Sequence, residues 1–175
     1  RNISLCYLTP QGKFLARVTG KVKGNVLIRE QQYAICKDTE KGLEIAKNCI
    51  TGKVYNARWV LERAVRDHEM QIDSQSVKNV SQKLKEFLIL LQSAQSKEQL
   101  RGYEGEAASM YFSVFNELVL QQKKDFTFSG RNKRPPLDNV NAMLSFVYTL
   151  LTNQITAALE TVGLDPYVGF LHTER

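Results

Sequence analysis

The sequence has few of the residues that build disulfide frameworks and thiolate metal sites. Its three cysteines, Cys6, Cys36 and Cys49, are an odd number, and none of them forms a C-x-x-C pair. A disulfide scaffold and a cysteine-ligated zinc site are therefore not indicated. A reducing, cytoplasmic setting fits this composition best.

Several motifs that identify common enzyme classes are also missing. The chain has no G-x-S-x-G motif, no G-x-x-x-x-G-K-S/T phosphate-binding loop and no G-x-G-x-x-G fingerprint. His68-Glu69 is not followed by the second histidine of an H-E-x-x-H motif. Serine hydrolysis and nucleotide hydrolysis therefore lose most of their support.

Basic residues, in contrast, outnumber acidic ones. The 175 residues include 24 Lys+Arg and 18 Asp+Glu, which gives a formal net charge of +6, and 43% are hydrophobic, enough to close one core. Residues 1–29 hold six basic residues and no acidic one, and residues 121–136 carry a net charge of +4. This surplus favours a polyanionic partner, although a helical scaffold whose charge only aids solubility would show it as well.

The spacing of apolar residues changes along the chain. Residues 2–28 alternate between apolar and polar positions, which predicts two or three short strands. Apolar residues then recur every three or four positions, which predicts four helices. The first begins after Asp38 as N-cap, the second covers about 77–91, the third about 102–120 and the fourth 139–162. Gly130 and Pro135-Pro136 forbid a regular helix in the basic segment 121–136.

Two neighbouring glutamates are predicted to lie in different surroundings. On a helix that starts near Gly102, Glu106 shares a face with serines and a further glutamate, whereas Glu104 shares one with Ala108 and Tyr111. We therefore expect Glu106 at the surface and Glu104 on the packed side, near a helix start whose dipole favours the ionised carboxylate. A partly buried carboxylate needs a cation, which is either a ligand or simply the neighbouring Arg101.

The only histidine in the C-terminal half, His172, follows an apolar run. Imidazole is a common ligand for divalent transition metals. A lone histidine after an apolar segment is nevertheless explained equally well by a hydrogen-bonded structural role.

Basic and aromatic residues interleave on the first long predicted helix, a pattern that suits contact with phosphates. A tryptophan that covers a core while arginines stay in water would explain the same pattern. The residues concerned are Lys53, Tyr55, Asn56, Arg58, Trp59, Arg63 and Arg66.

The fourth predicted helix has a polar face without lysine or arginine. Such a face packs against another element or lines a cleft, unless its hydroxyls bond back to their own helix. Asn153 and Gln154 interrupt the apolar run well short of the roughly 20 residues that a bilayer needs, so we expect a core helix and no membrane partner. The polar face consists of Asp138, Asn141, Ser145, Thr149, Thr152 and Thr156.

Four blocks of the sequence, taken in order, resemble the CRISPR-associated endonuclease and integrase of the spacer-acquisition module, the Cas1 family. One block alone would be weak, but four with suitable gaps are specific. They are Gly52-Lys53-Val54-Tyr55-Asn56 with the helix that follows, Gly102-Tyr103-Glu104-Gly105-Glu106-Ala107-Ala108 leading to Tyr111-Phe112, residues 134–148 (RPPLDNVNAMLSFVY) and residues 163–172 (GLDPYVGFLH).

The resemblance implies an α+β fold, in which a β-rich N-terminal domain precedes a mainly α-helical catalytic domain. Residues 1–28 would be the last strands of the first domain, and residues 29–175 most of the second. It also implies a catalytic Mg²⁺ or Mn²⁺ site with Glu104 and His172 as ligands and a third, acidic ligand beyond Arg175. The chain would then lack parts of both ends and be inactive by itself. Asp138, Asn141 and Ser145 are expected to lie next to the metal ligands and to orient them, without contacting the metal themselves.

The same resemblance implies a reaction on double-stranded DNA in a prokaryotic cytoplasm, by a homodimer with the small partner Cas2. In this family the 3′-hydroxyl of captured DNA attacks the CRISPR repeat, and attack by water gives nuclease activity. The alternative is a basic helical DNA-binding module without catalysis, which gives no reason for the split between the two glutamates. The residues expected to hold the DNA backbone are Lys53, Asn56, Arg58, Arg63, Arg66, Lys133 and Arg134.

Overall fold

A computed structural model describes residues 5–10, 14–18, 24–132 and 134–172. In this part of the chain a two-stranded antiparallel sheet precedes five α-helices and a short 3-10 helix, which confirms the α+β class. The strands are Leu5–Leu8 (β1) and Phe14–Val18 (β2). The helices are Val26–Lys37 (α1), Thr39–His68 (α2), Ser74–Ser93 (α3), Lys97–Ser113 (α4) and Asn139–Val162 (α5), and the 3-10 helix is Phe115–Leu118.

Capping side chains determine where the helices begin. The carboxylate of Asp38 accepts hydrogen bonds from the backbone N–H groups of Glu40 and Lys41, at 3.1 and 3.0 Å, which confirms it as the N-cap of α2. The hydroxyl of Ser96 caps α4 by accepting from Gln99 N at 3.1 Å. Helix α4 therefore starts five residues before the predicted position, and Glu104 is its eighth residue. The predicted dipole effect on Glu104 is wrong, because that effect fades within the first turn.

Residues 26–28 belong to α1 and not to a third strand, so that part of the strand prediction is wrong. The side chain of Asn25 caps this helix by accepting from Ile28 N at 3.3 Å. The expected domain boundary after residue 28 falls inside α1. The division into two domains stays a prediction.

The core lies between α2, α3 and α4. Leu61, Leu84, Leu91 and Leu100 are fully buried there, and Phe170 and Leu171 pack against the same cluster from the C-terminal segment. Burying a leucine contributes roughly 1.5–3 kcal/mol relative to leaving it in water. Helix α4, which carries Glu104, is therefore anchored to the core through its buried side chains.

Helix α5 lies outside this core, so the prediction of a core helix is wrong. Only Val140 and Asn141 are buried along its 24 residues, and several large apolar side chains face solvent. By length and composition α5 could cross a membrane, and none of its most apolar stretch is buried within the described residues. The absence of a membrane partner stays a prediction.

The C-terminal end of α5 is held by α1. Arg29 Nε donates to the carbonyl oxygen of Gly163 at 2.8 Å, and the buried Gln32 both donates to and accepts from the backbone of Asp165, at 2.9 and 2.8 Å. Gly163 has φ 90° and ends α5 in the left-handed conformation that favours glycine. These contacts orient α5 relative to the helical core.

Candidate active site

A cleft of about 990 Å³ opens between α4, α5 and the basic segment that joins them. Helix α4 forms one wall, α5 the opposite wall, and Lys53 reaches in from α2. The lining residues are Lys53, Glu104, Gly105, Ala108, Ser109, Phe112, Ser113, Phe128, Ser129, Gly130, Arg131, Arg134, Ser145, Tyr148 and Thr149.

An aromatic cluster lies beside the cleft, and two of its members, Phe112 and Phe128, line it. It consists of Tyr111, Phe112, Phe115 and Phe128, whose ring centroids lie 4.9–5.7 Å apart where they contact. Backbone N–H of Phe128 donates to Asn116 Oδ1 at 3.0 Å and so ties the loop to the 3-10 helix. Burial, with a smaller contribution from Tyr148, raises the pKa of Tyr111 to about 12. Tyr111 is therefore a neutral phenol at neutral pH.

Glu104 lies on the cleft wall, and Glu106 is exposed to solvent. The Glu104 side chain is 22% exposed, and its Oε1 accepts a hydrogen bond from the ammonium group of Lys53. The expected pairing with Arg101 is wrong, because Arg101 pairs with Glu98 at 3.3 Å. Nothing lies within 4 Å of a Cβ position at Gly105, so the neighbouring backbone leaves room for a ligand. The predicted difference between the two glutamates is confirmed.

His172 is exposed and is not among the residues that line the cleft. Among residues 5–10, 14–18, 24–132 and 134–172, no group of three His, Cys, Asp or Glu side chains could hold a metal ion. The Glu104 carboxylate is a hard oxygen donor with the ammonium group of Lys53 already beside it, and the described residues do not complete a metal-ligand set. The metal site with Glu104 and His172 stays a prediction.

The α2 residues that were predicted to contact DNA differ in whether they face the cleft. Lys53 lines the cleft and Asn56 is exposed. The Arg58 side chain is only 19% exposed, lies 5.4 Å over the ring of Trp59 and pairs with Glu62 at 3.0 Å. Of these residues, Lys53 is the one that the structure brings to the cleft.

Arg63 and Arg66 are exposed on α2, and both pair with Asp67, at 3.4 and 2.8 Å. Hydrogen bonding from Arg66 lowers the pKa of the Asp67 carboxyl. Neither arginine lines the cleft. Their predicted role in DNA contact has no support from the cleft geometry and stays a prediction.

The basic segment approaches the cleft from its open side. Arg134 is exposed and contributes to the lining, whereas Lys133 lies outside the described residues. The described residues of the segment, 121–132 and 134–136, form no regular helix, as predicted. Arg131, which was not singled out from the sequence, turns inward and is partly buried.

The polar face of α5 satisfies both expectations for it. Its hydroxyls bond back to their own helix, with Ser145 Oγ donating to Asn141 O at 2.8 Å and Thr149 Oγ1 to Ser145 O at 3.0 Å. Thr152 and Thr156 do the same at 2.8 Å. Ser145 and Thr149 also line the cleft, next to Tyr148. The sequence signal for Tyr148 was its position three residues after Ser145, which places both on one face.

Comparison with known sequences decides the family. The family described as CRISPR associated protein Cas1 matches residues 1–175. The chain belongs to the Cas1 family. It is 46% identical over 173 residues to CRISPR-associated endonuclease Cas1 1 of Chlorobaculum tepidum, which covers 99% of this chain and 50% of the relative. It is 48% identical over 177 residues to CRISPR-associated endonuclease Cas1 2 of Rhodospirillum rubrum, with 99% and 51% covered. The chain therefore spans about half the length of these curated Cas1 relatives.

Solved structures share the fold. A casposase bound to integration product superposes with a TM-score of 0.79 at 30% identity, over 99% of this Cas1 chain and 46% of the casposase. The Cas6-RT-Cas1–Cas2 complex matches with a TM-score of 0.72 at 27% identity, over 99% of this chain and 18% of that one.

Proposed function

We propose that this chain is part of a divalent-metal-dependent DNA endonuclease and integrase that inserts captured DNA into a CRISPR array. The observation that carries the proposal is the placement of Glu104, a partly buried carboxylate that faces an open cleft and is balanced by the half-exposed Lys53. The endonuclease names of the Cas1 relatives and the casposase bound to integration product support the same reaction class.

Glu104 and His172 are the proposed ligands of Mg²⁺ or Mn²⁺, together with an acidic residue outside these 175. A divalent cation held there would neutralise charge on the attacking and leaving oxygens of a phosphodiester. Lys53 Nζ donates a hydrogen bond to Glu104 Oε1, and the Lys53 side chain is 52% exposed, so it can turn toward solvent or a DNA phosphate. Glu104 therefore has a cation partner whether or not a metal is bound.

The cleft suits a DNA backbone because its cations lie on several sides of it. Lys53 projects from α2 and Arg134 from the connecting segment, and Tyr148 offers an aromatic face from α5. We propose double-stranded DNA as substrate, with Lys133 contributing from the same segment. Homodimerisation and a Cas2 partner are part of the proposal, and the match to a complex that contains Cas1 and Cas2 supports the second.

Removal of divalent metal is expected to abolish DNA cleavage and strand transfer by the full-length protein, a loss of at least about 100-fold, because the metal is proposed to neutralise the charge that develops on the leaving oxygen. The measurement is cleavage and joining of a labelled duplex with Mn²⁺, with EDTA, and with Mn²⁺ restored. Binding of the same duplex in EDTA is the control for folding. Undiminished cleavage in EDTA would contradict the metal-dependent mechanism, and binding without cleavage in Mn²⁺ would favour the DNA-binding module.

Neutralising Lys133 and Arg134 is expected to weaken binding of all duplex sequences alike, because the lysine and arginine side chains of a basic segment are expected to contact phosphates and not base edges. The plot of log affinity against log salt should become shallower by about one unit for each lost phosphate contact. Lys85→Ala is the matched control, since Lys85 is an exposed lysine on α3 that does not line the cleft. A loss confined to one DNA sequence would show that the segment reads bases.

A further inference from the structure

We propose that Arg131 binds a DNA phosphate in the cleft and that Asn141 is the residue that positions Arg131 for it. The family resemblance groups Asn141 with residues that are expected to support metal ligands. The structure places it in contact with an arginine instead, and neither Glu104 nor His172 is among its hydrogen-bond partners in the described part of the chain.

Asn141 is completely buried, and its side-chain amide makes four hydrogen bonds. Its Oδ1 accepts from Arg131 Nη1 at 2.8 Å and from Asn132 N at 3.0 Å. Its Nδ2 donates to Gly130 O at 2.8 Å and to Asp138 Oδ2 at 2.7 Å. Reversing the amide would set donors against donors, so this arrangement has one orientation.

Asp138 holds Asn141 from the other side. Its Oδ1 caps α5 by accepting from Asn141 N at 2.7 Å. Burial opposes ionisation of this carboxyl, but the hydrogen bonds from the backbone and side chain of Asn141 outweigh it and keep the pKa of Asp138 below its usual value. A negative charge thus orients the Asn141 amide, which in turn presents its oxygen to Arg131.

Arg131 is a cation that the protein holds without neutralising it. It lines the cleft and is partly buried, with its guanidinium 5.6 Å over the ring of Tyr148 and Nη2 at 3.5 Å from Ser145 Oγ. None of the ion pairs among the described residues includes Arg131, whereas Arg58, Arg63 and Arg66 of α2 each pair with a carboxylate. A partly buried guanidinium that has no carboxylate partner and is held in one orientation favours an anionic ligand.

A phosphodiester is the anion that fits the proposed function, on which this inference rests. Guanidinium groups match phosphate oxygens in geometry and form strong charge-assisted hydrogen bonds with them. Arg131 and Glu104 line one cleft. Arg131 would therefore hold the DNA strand whose phosphodiester reacts at Glu104.

The test measures binding of a labelled DNA duplex to the full-length protein in EDTA over a series of KCl concentrations. Arg131→Ala is expected to weaken binding about tenfold and to reduce the salt slope by about one unit, the signature of one lost phosphate contact. Asn141→Ala should produce a similar loss although Arg131 is still present. The double variant Arg131→Ala/Asn141→Ala should be no weaker than Arg131→Ala, because a residue that acts through another is not additive with it.

Two further variants separate positioning from general damage. Arg131→Lys keeps a positive charge without the planar fork that Asn141 orients, so it should bind DNA more weakly than the parent and more tightly than Arg131→Ala, and this comparison holds even where Asn141→Ala fails to fold. Ser81→Ala removes another buried polar side chain, on α3 and outside the cleft lining, and should leave affinity and salt slope unchanged. Additive losses in the double variant, or parental binding by Arg131→Ala, would overturn the inference alone. No salt-dependent binding by the parent would overturn the proposed function as well.

Discussion

Glu104→Ala is expected to lower Mn²⁺-dependent DNA cleavage by the full-length protein at least about 100-fold, because the substitution removes the carboxylate proposed to hold the metal. Glu106→Ala should keep cleavage within about twofold of the parent, since exposed substitutions remote from a site have small effects. Both glutamates lie on α4, two residues apart, and only Glu104 lines the cleft. Each substitution removes one carboxylate, so a difference between the two variants reports the position of the carboxylate on α4 and not the loss of charge.

The two variants should be compared by initial cleavage rates at saturating Mn²⁺, alongside thermal unfolding and duplex binding in EDTA. Glu104→Ala leaves Lys53 without its ion-pair partner, so a small change in stability is expected. Glu104→Gln retains the side-chain volume and should lose cleavage equally. Equal rates for the Glu104→Ala and Glu106→Ala variants would contradict the assignment of Glu104.

Residues 1–175 expressed alone are expected to self-associate and to show no metal-dependent cleavage. Helix α5 exposes large apolar side chains along its length, and β1 and β2 expose several more. Apolar surface on this scale drives association in water. Two proposed ligands would also hold Mg²⁺ or Mn²⁺ far more weakly than three. The exposed residues are Met143, Phe146, Val147, Leu150, Leu151 and Ile155 on α5, and Leu5, Tyr7, Phe14, Leu15 and Val18 on the strands.

Static light scattering over a range of protein concentrations measures the association, and duplex cleavage with Mn²⁺ measures activity. A matched variant with Val147→Glu and Leu151→Glu should associate less, because both side chains are about half exposed on α5 and neither lines the cleft. A stable monomer that cleaves DNA with Mn²⁺ would show that no third ligand is needed.

Helices α2 to α5 could be predicted from the sequence because each carries a clear local signal. In α2 and α3 the apolar residues that recur every three or four positions are the ones buried in the core. In α5 the cap Asp138 and the left-handed Gly163 mark the two ends. Helix α1 had no such signal, since Val26 and Leu27 are more than 70% exposed and its one buried residue is Gln32. Its hydrogen bonds to Gly163 and Asp165, more than 130 residues away, are not visible in local spacing.

The candidate site could likewise be predicted only in part from the sequence. Helical periodicity separated Glu104 from Glu106, because the face of a helix follows from spacing alone. The partner of Glu104 is Lys53, which lies 51 residues earlier and meets it only because α2 packs beside α4. The same periodicity identified the polar face of α5, whereas the family resemblance assigned Asn141 a role beside the metal ligands. In the folded protein Asn141 contacts Arg131. Arg131 lies in the irregular segment between α4 and α5, where the sequence has no periodic pattern that would predict this contact.

The sequence by itself determined the Cas1 family, the α+β class, the bounds of α5 and the surroundings expected for the two glutamates. All of these depend on residue order and on periodicity within single segments. The tertiary structure alone decided which cation meets Glu104, that α5 borders a cleft and exposes its apolar side chains, and that Arg131 has no carboxylate partner among the described residues. Those outcomes depend on contacts between segments far apart in the chain, and local spacing does not encode them because such contacts form only when whole helices pack.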